Sequence, residues 1–157
     1  MSSAAGPHPV PVLAPDLADR LRVRLAASPA LQWLQPELLE LELDYCVLGL
    51  KYRSEVTNGS STMHGGVLAT LADTAVAFAL STNFDGKMGF ATTDLTIHFL
   101  RRAKTDVRAR ARILKKGRRV TVGEVDIVDA DGHDVARVLT SFLLTTSSFD
   151  YLPGAKQ

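Results

Sequence analysis

One acid lies within a long apolar segment, and it is the residue best suited to chemistry. Asp73 is the only charged side chain between His64 and Phe84. A carboxylate in apolar surroundings loses hydration unless it is paired or hydrogen-bonded. Burial can tune such an acid to act as a general base or a nucleophile. A structural Asp bonded to nearby Thr70 or Thr74 would explain its isolation equally well.

The sequence His64-Gly65-Gly66 opens the same apolar segment. Glycines at a helix start leave backbone N–H groups open to close approach, and the helix dipole adds positive potential there. An oxyanion hole needs such donors, aimed at a carbonyl oxygen that gains negative charge. A tight turn in which glycine only relieves backbone strain would use the same residues.

Gly65 and Asp73 are too far apart on one helix to act on the same carbonyl group. They are eight residues apart, which is roughly 12 Å along a helix axis. Groups that attack or stabilise a carbonyl must lie about 3 Å from it. If both residues act together, two helices must run antiparallel, with Gly65 of one chain facing Asp73 of another. A two-fold dimer meets this condition twice and has two equal sites.

Basic residues are concentrated in residues 101–119, which hold ten Lys or Arg and one acid, Asp106. Strand-like alternation turns many of them to a solvated face, which accounts for much of the cluster. The charge also suits a polyphosphate, such as the nucleotide end of coenzyme A. Nucleic acid is disfavoured because no aromatic residues interleave with the basic ones. The candidate substrate-binding residues are Gly66, Arg101, Arg102, Lys115, Lys116 and Arg118.

The composition is that of one globular domain, with 157 residues, 46% hydrophobic residues and a net charge of +1. Cys46 is the only cysteine, which suits a reducing compartment. The sequence has neither a signal-peptide pattern nor an apolar stretch long enough to span a bilayer. The four histidines lack metal-ligand spacing, and no cofactor motif is present. We therefore expect a cytoplasmic protein without metal, cofactor or membrane contact.

The hydrophobic pattern predicts a helix, two strands, a buried helix and then four strands. Leu17, Leu21 and Leu25 share one face of the first helix. Alternating leucines in residues 37–47 predict one strand ending in a turn at Gly49, with a second short strand before Asn58.

The segment from Gly65 to Leu80 is apolar on every side and predicts a helix buried all round. Alternation after residue 94 predicts the last four strands, with turns at residues 116–117 and 131–132 and a bulge near Gly123. An antiparallel sheet wrapped around the central helix explains both patterns.

The segment from Asn58 to Ala75, which contains His64-Gly65-Gly66 and Asp73, closely resembles the hotdog-fold acyl-CoA thioesterases. The likeness is to the phenylacetyl-CoA thioesterase and acyl-CoA thioesterase 13 types, and it covers roughly residues 37–146. It implies an α+β hotdog fold with an extra N-terminal helix. The implied domain is residues 16–146, between a flexible arm (1–15) and a C-terminal tail (147–157).

The resemblance also implies roles for five residues. Asp73 matches the catalytic acid that activates or directs water, and Gly65 matches the backbone donor that polarises the thioester carbonyl. Asn58 matches an asparagine that helps hold the carbonyl or the water, and His64 matches a histidine that supports the loop. Thr92 lies within one residue of a hydroxyl that orients the water.

One departure from the family pattern concerns the strand end at which CoA docks. Arg102 stands where family members often have proline. The sequence therefore leaves the details of CoA docking at this point open.

The implied function is hydrolysis of an acyl- or aryl-CoA thioester to free acid and CoA by a homodimer or a homotetramer. In this mechanism Asp73 activates water, and the Gly65 N–H polarises the carbonyl across the dimer interface. A non-catalytic acyl-CoA-binding hotdog module is the alternative, and an intact acid at position 73 favours the enzyme. A hotdog dehydratase is a third possibility. Aryl-acetyl, medium-chain and hydroxybenzoyl substrates all fit the sequence.

Overall fold

A computed structural model describes residues 12–145 of the chain. The predicted tail (147–157) and most of the predicted arm (1–15) lie outside the described residues. The elements are α1 (Leu17–Ala27), α2 (Pro29–Gln32), β1 (Glu37–Glu42), β2 (Tyr45–Leu50), a 3₁₀ turn (Ser54–Val56), α3 (Gly65–Ser81), β3 (Gly89–Phe99), β4 (Val107–Lys116), β5 (Val120–Asp129) and β6 (Asp134–Thr145). None of the helices within residues 12–145 has the length and hydropathy needed to cross a bilayer.

The six strands form one antiparallel sheet in the order β1-β2-β4-β5-β6-β3. One face of the sheet packs on α3, through small or branched side chains such as Ala109, Ala111 and Ile127, which are all fully buried. The leucines of α1 join the same core. This is the sheet wrapped around a helix that the sequence predicts, and it is the hotdog architecture that the resemblance implies.

Gly123 allows α3 to pack closely against β5. A Cβ atom at this position would lie 2.5 Å from Val76 Cγ1, so no larger residue fits without movement. Inward-facing residues alternate without interruption from Thr121 to Ile127. The irregularity predicted near Gly123 lies instead in the facing strand, where the pairing of β4 with β5 shifts register between Ile113 and Lys115.

The predicted turn at Gly49 is wrong, because the chain turns earlier, at Asp44. This residue has a φ of 61°, a left-handed conformation that Asp tolerates. Its carboxylate accepts hydrogen bonds from Asn83 Nδ2 at 2.7 Å and from Lys116 Nζ at 2.8 Å. Gly49 instead lies inside β2, where the Leu39 side chain covers it.

The second short strand predicted before Asn58 is also wrong, because the 3₁₀ turn occupies that segment. The predicted number of two strands before α3 is correct, but both lie earlier in the chain and form the β1–β2 hairpin. Within β1, Leu38 is buried and Leu39 is 42% exposed, since a register shift after Leu38 interrupts the expected alternation.

The helix α3 is not buried all round in the single chain, contrary to the prediction. Gly66 and Thr70 are exposed, and Ala69, Asp73 and Ala77 are half-buried. These five residues recur every three or four positions, so they form one stripe along the helix. We call them the open stripe. The stripe is built of small and short polar side chains, which explains why hydropathy alone did not reveal it.

Candidate active site

Asp73 lies on the open stripe of α3 with its carboxylate half-buried. The hydroxyl of Thr92, in β3, donates a hydrogen bond to Asp73 Oδ1 at 2.8 Å. Burial raises the pKa of Asp73, and the Thr92 hydrogen bond offsets part of that rise. Thr70 and Thr74 are not its partners, because they donate to helix carbonyls four residues earlier. Within residues 12–145, Asp73 Oδ2 has no hydrogen-bond donor.

A bulge in β3 turns the Thr92 side chain toward α3. The pairing of β3 with β6 shifts register at Thr93. Thr92 lies opposite Phe142, and Leu95 lies opposite Thr140, two β6 residues that both point into the core. Strict alternation from Leu95 would have turned Thr92 outward. The extra residue therefore brings the Thr92 hydroxyl to Asp73.

His64 caps α3 and leaves one backbone donor free in the first turn. Its Nδ1 accepts a hydrogen bond from the Gly66 N–H at 2.9 Å, so the neutral ring carries its proton on Nε2. The N–H groups of Val67 and Leu68 donate to the His64 carbonyl. The Gly65 N–H has no acceptor within residues 12–145. Of the two predicted glycine donors, Gly65 is therefore free and Gly66 is engaged by His64.

A groove of about 400 Å³ brings four of the predicted site residues together. Asn58, Gly65, Arg101 and Arg102 all line it, and Phe99 forms part of its wall. Neither arginine side chain has an ion-pair partner within the described range 12–145. The groove therefore joins a free backbone donor to two unpaired cations.

Asn58 is held in place by the loop that precedes α3. Its Oδ1 accepts hydrogen bonds from the N–H groups of Ser60 at 2.9 Å and Thr62 at 3.3 Å. This side-chain turn orients the amide and leaves Nδ2 without a partner among residues 12–145. Asn58 thus has an amide donor available in the groove that Gly65 also lines.

The predicted basic residues do not form one patch. Arg101 and Arg102 precede β4, whereas Lys115, Lys116 and Arg118 lie at its far end. The ten residues of β4 separate the two groups by about 30 Å at the usual strand rise. Lys116 also forms an ion pair with Asp44 at 2.8 Å. Of the predicted basic residues, which all lie in the described range, only Arg101 and Arg102 adjoin the groove.

The site residues of one chain thus fall into two groups. Asp73 and Thr92 form one group, and Asn58, His64, Gly65, Arg101 and Arg102 form the other. Gly65 and Asp73 both lie on the continuous helix α3, eight residues and about 12 Å apart. One chain therefore does not bring the carboxylate to the free N–H.

Within the described residues 12–145, the edge strand β3 is paired on one side only, and it lies beside both groups. It is the last strand of the sheet, it is 11 residues long, and most of its side chains are exposed. An unpaired edge of this length is a template for pairing with another strand. Together with the open stripe, it makes this side of the molecule the one most suited to a second copy.

An apolar pocket of about 250 Å³ lies next to the carboxylate group. It is lined by Arg24, Ser28, Pro29, Ala77, Phe78, Ser81, Met88 and Phe90. Ala77 is one helical turn beyond Asp73, and Phe90 is two residues before Thr92. Sequence reasoning missed this pocket because its wall comes from α1, α2, α3 and the start of β3, and no linear motif joins them.

One cluster within residues 12–145 has the composition of a metal site. The ligand atoms of Asp129, Asp131 and His133 lie within 4.8 Å of one another in the β5–β6 turn. However, Asp129 Oδ1 accepts hydrogen bonds from the backbone N–H groups of Asp131 and His133. These hydrogen bonds of the turn explain why the three side chains lie close together, and none of the three lines the groove.

The amino-acid sequence is similar to those of known proteins. The family described as the thioesterase superfamily matches residues 60–136. The chain is 30% identical to the acyl-coenzyme A thioesterase PaaI of Escherichia coli over 102 residues, 64% of this chain and 71% of that protein. It is 33% identical to human acyl-coenzyme A thioesterase 13 over 82 residues, 51% of this chain and 58% of that protein.

The fold is also similar to a solved structure. The structure of the E. coli PaaI protein from the phenylacetic acid degradation operon superposes with a TM-score of 0.78 at 21% identity. The match covers 87% of this chain and 99% of that one. At this identity the superposition shows a shared fold.

Proposed function

This chain belongs to the thioesterase superfamily, and we propose that it hydrolyses an acyl- or aryl-CoA thioester to the free acid and CoA. The observation that carries the proposal is the pair of complementary groups on α3. Among residues 12–145, a carboxylate with one unpartnered oxygen lies on the open stripe, and an unpartnered N–H lies at the start of the same helix. Thioester hydrolysis needs a base and an oxyanion donor of this kind.

Asp73 is the base in this proposal. The Thr92 hydroxyl fixes Oδ1, so Oδ2 can accept a proton from a water molecule. Because burial raises the pKa of Asp73, its carboxylate is a stronger base than an exposed one. The water oxygen attacks the thioester carbonyl carbon as its proton passes to Asp73. The C–S bond then breaks, and the same proton neutralises the departing CoA thiolate.

The oxyanion is stabilised by the other group of residues. The Gly65 N–H at the positive end of α3 and the Asn58 amide donate to the carbonyl oxygen as it gains charge. His64 supports them indirectly, because it engages the Gly66 N–H and fixes the first turn of the helix. In this assignment Gly66 belongs to the first turn of α3, which positions the donors, and does not bind the substrate itself.

We further propose that each site is shared between two subunits. Ala69 is the midpoint between Gly65 and Asp73 and is half-buried on the open stripe. A two-fold axis at Ala69 sets each Gly65 opposite the partner subunit's Asp73. The small residues of the stripe favour a close approach of two antiparallel α3 helices. Pairing of the two β3 edges would extend the sheet through the same axis.

The CoA nucleotide is assigned to the arginines at the groove. Arg101 and Arg102 are exposed and unpaired within residues 12–145, and guanidinium groups bind phosphate oxygens through paired hydrogen bonds. Lys116 is less suited to this role, since it already holds Asp44. The phosphates would therefore lie beside the subunit that supplies Gly65.

A substrate panel with Asp73→Asn tests the proposed activity. The substitution keeps the side-chain shape and removes the base, so turnover on the best acyl- or aryl-CoA should fall by about 10²-fold or more. Release of free CoA thiol is the measurement. Asp94→Asn, an exposed acid in the same strand as Thr92, is the matched control. Unchanged turnover in Asp73→Asn would favour the alternative, an acyl-CoA-binding module without catalysis.

A further inference from the structure

The apolar pocket beside Asp73 is placed to receive the acyl part of a substrate. Ala77 continues the open stripe one turn beyond Asp73, and Phe90 occupies the inward position before Thr92 on β3. A thioester carbonyl that is attacked by a water molecule at Asp73 would therefore lie near the pocket mouth. The elements that hold the base thus also form the walls around the acyl group.

The size and lining of this pocket fit a compact acyl group. Its volume is about 250 Å³, while an apolar protein cavity of about 150 Å³ holds one benzene molecule. Phe90 is held against Phe142 in an edge-to-face contact, with ring centroids 5.6 Å apart. The aromatic wall is therefore preformed, and the volume of the pocket suits a compact acyl group.

One cation in the pocket wall has no anionic partner among residues 12–145. Arg24 is half-buried, and its Nη2 donates to the Gly86 carbonyl at 2.9 Å. No carboxylate of residues 12–145 forms an ion pair with it. Burial and the neighbouring charge of Arg20 both lower the pKa of Arg24. A guanidinium group remains charged even so.

The other arginines of α1 differ from Arg24 in this respect. Arg20 pairs with Asp16 and Asp85, and exposed Arg22 pairs with Asp19 at 2.9 Å. The acids near α1 are therefore already engaged by other cations. Arg24 alone of these three arginines borders the pocket, and part of its guanidinium group has no acceptor in the described part of the chain.

We propose that Arg24 binds a negatively charged oxygen at the far end of the acyl group, so that the enzyme prefers compact acyl-CoA substrates with a terminal carboxylate. The inference rests on the proposed acyl-CoA thioesterase activity. The planar guanidinium fork matches a carboxylate, and the apolar walls of the pocket would strengthen their attraction.

A matched pair of substrates tests the preference. Adipoyl-CoA and hexanoyl-CoA have acyl chains of the same length, and they differ in having a carboxylate or a methyl group at the far end. The wild-type kcat/KM should be about tenfold to a hundredfold higher for adipoyl-CoA, the range expected of a hydrogen bond to a charged group.

The variant Arg24→Met removes the charge and keeps an unbranched stem. It should lower kcat/KM for adipoyl-CoA by at least about tenfold and change the value for hexanoyl-CoA by less than about twofold. Arg22→Met, on the same helix but paired outside the pocket, should change neither value. If Arg24→Met does not fold, Arg24→Gln gives the same comparison, since its amide can still donate to the Gly86 carbonyl.

The outcomes separate this inference from the activity on which it rests. Equal losses on both substrates would show that Arg24 only supports the fold, and equal wild-type rates would show no terminal-group recognition. Either result overturns the inference and leaves the thioesterase intact, provided that hexanoyl-CoA is hydrolysed and Asp73→Asn abolishes the reaction. If the wild type hydrolyses neither these substrates nor the wider panel faster than Asp73→Asn does, the proposed function itself fails, and the inference fails with it.

Discussion

Complementation between two inactive variants tests the shared site most directly. Asp73→Asn removes the base from one half of each site. Gly65→Val damages the other half, because even a Cβ atom at Gly65 would lie 2.9 Å from Phe99 Cζ. The branched side chain also crowds the space in front of the free N–H. Each variant homodimer then has two defective sites.

The size of the recovered activity follows from two-fold symmetry. A heterodimer of the two variants has one site with both defects and one site with neither. Random mixing makes half of all dimers heterodimers, so the mixture should regain about a quarter of the wild-type activity. Loss of the base costs about 10²-fold or more, and loss of an oxyanion donor costs about 10²–10³-fold. The recovered signal should therefore exceed the parental background by more than about tenfold.

The assay is CoA release after the two variants are unfolded, mixed and refolded, with heterodimers counted by native mass spectrometry. A mixture of Asp73→Asn and Asp73→Ala is the control, because both chains are damaged in the same half and no intact site can form. If heterodimers are present and the activity stays at the mean of the two parents, the two residues do not meet across an interface. Full activity of a monomer at high dilution would refute the model as well.

Three further predictions concern the same groups. Thr92→Val removes a hydrogen bond that lowers the pKa of Asp73, so the acidic limb of the kcat/KM profile should move to higher pH. Alanine at both Arg101 and Arg102 should raise KM for acyl-CoA by about tenfold or more and leave KM for acyl-pantetheine unchanged. Asp73→Asn should raise Tm at pH 7 because it removes a half-buried charge, and the gain should shrink as the pH approaches about 4.

Each of these predictions has its own check. Thr92→Ser keeps the hydroxyl and should keep the wild-type pH profile. If the acidic limb of the kcat/KM profile does not shift in Thr92→Val, Asp73 is not the titrating base. Lys115→Ala removes an exposed charge at the far end of β4 and should leave KM for acyl-CoA unchanged. If Lys115→Ala raises KM for acyl-CoA as much as the double arginine variant does, the CoA site would include the whole basic segment. A lower Tm in Asp73→Asn would mean that the carboxylate stabilises the fold.

The pH dependence of the Tm difference has a definite sign. Burial raises the pKa of Asp73 in the folded chain, so the folded state binds this proton more tightly than the unfolded state does. The ionised carboxylate therefore destabilises the fold above its folded-state pKa. Below the unfolded pKa of about 3.9, the group is protonated in both states and the penalty disappears.

The sequence predicts the sheet around a helix because each pattern is local. Period-two alternation and one apolar segment suffice to place β3 to β6 and α3. Asp73 and Gly65 are identifiable for a similar reason, since an isolated acid and a glycine pair at a helix start are both unusual in a single segment. Their mutual distance follows from helix geometry alone.

The wrong predictions concern segments whose conformation depends on contacts with residues distant in the sequence. Asp44 turns the chain because Asn83 and Lys116 reach its carboxylate from other elements, and no pattern near Gly49 contains that information. The contact of Thr92 with Asp73 likewise depends on the bulge at Thr93. The basic residues form one cluster in the sequence, but the extended strand β4 separates the two ends of that cluster.

The two groups of site residues divide the proposed substrate between the subunits. The subunit that supplies Gly65 also carries Arg101 and Arg102, so it would hold the thioester oxygen and the CoA phosphates. The subunit that supplies Asp73 also carries the pocket at Arg24, so it would hold the acyl group and the water. Because each chain would bind only one end of the substrate, a change in acyl preference could occur at the pocket without altering CoA binding. A single chain, by contrast, would have a base without an oxyanion donor in reach, so the proposed reaction itself requires assembly.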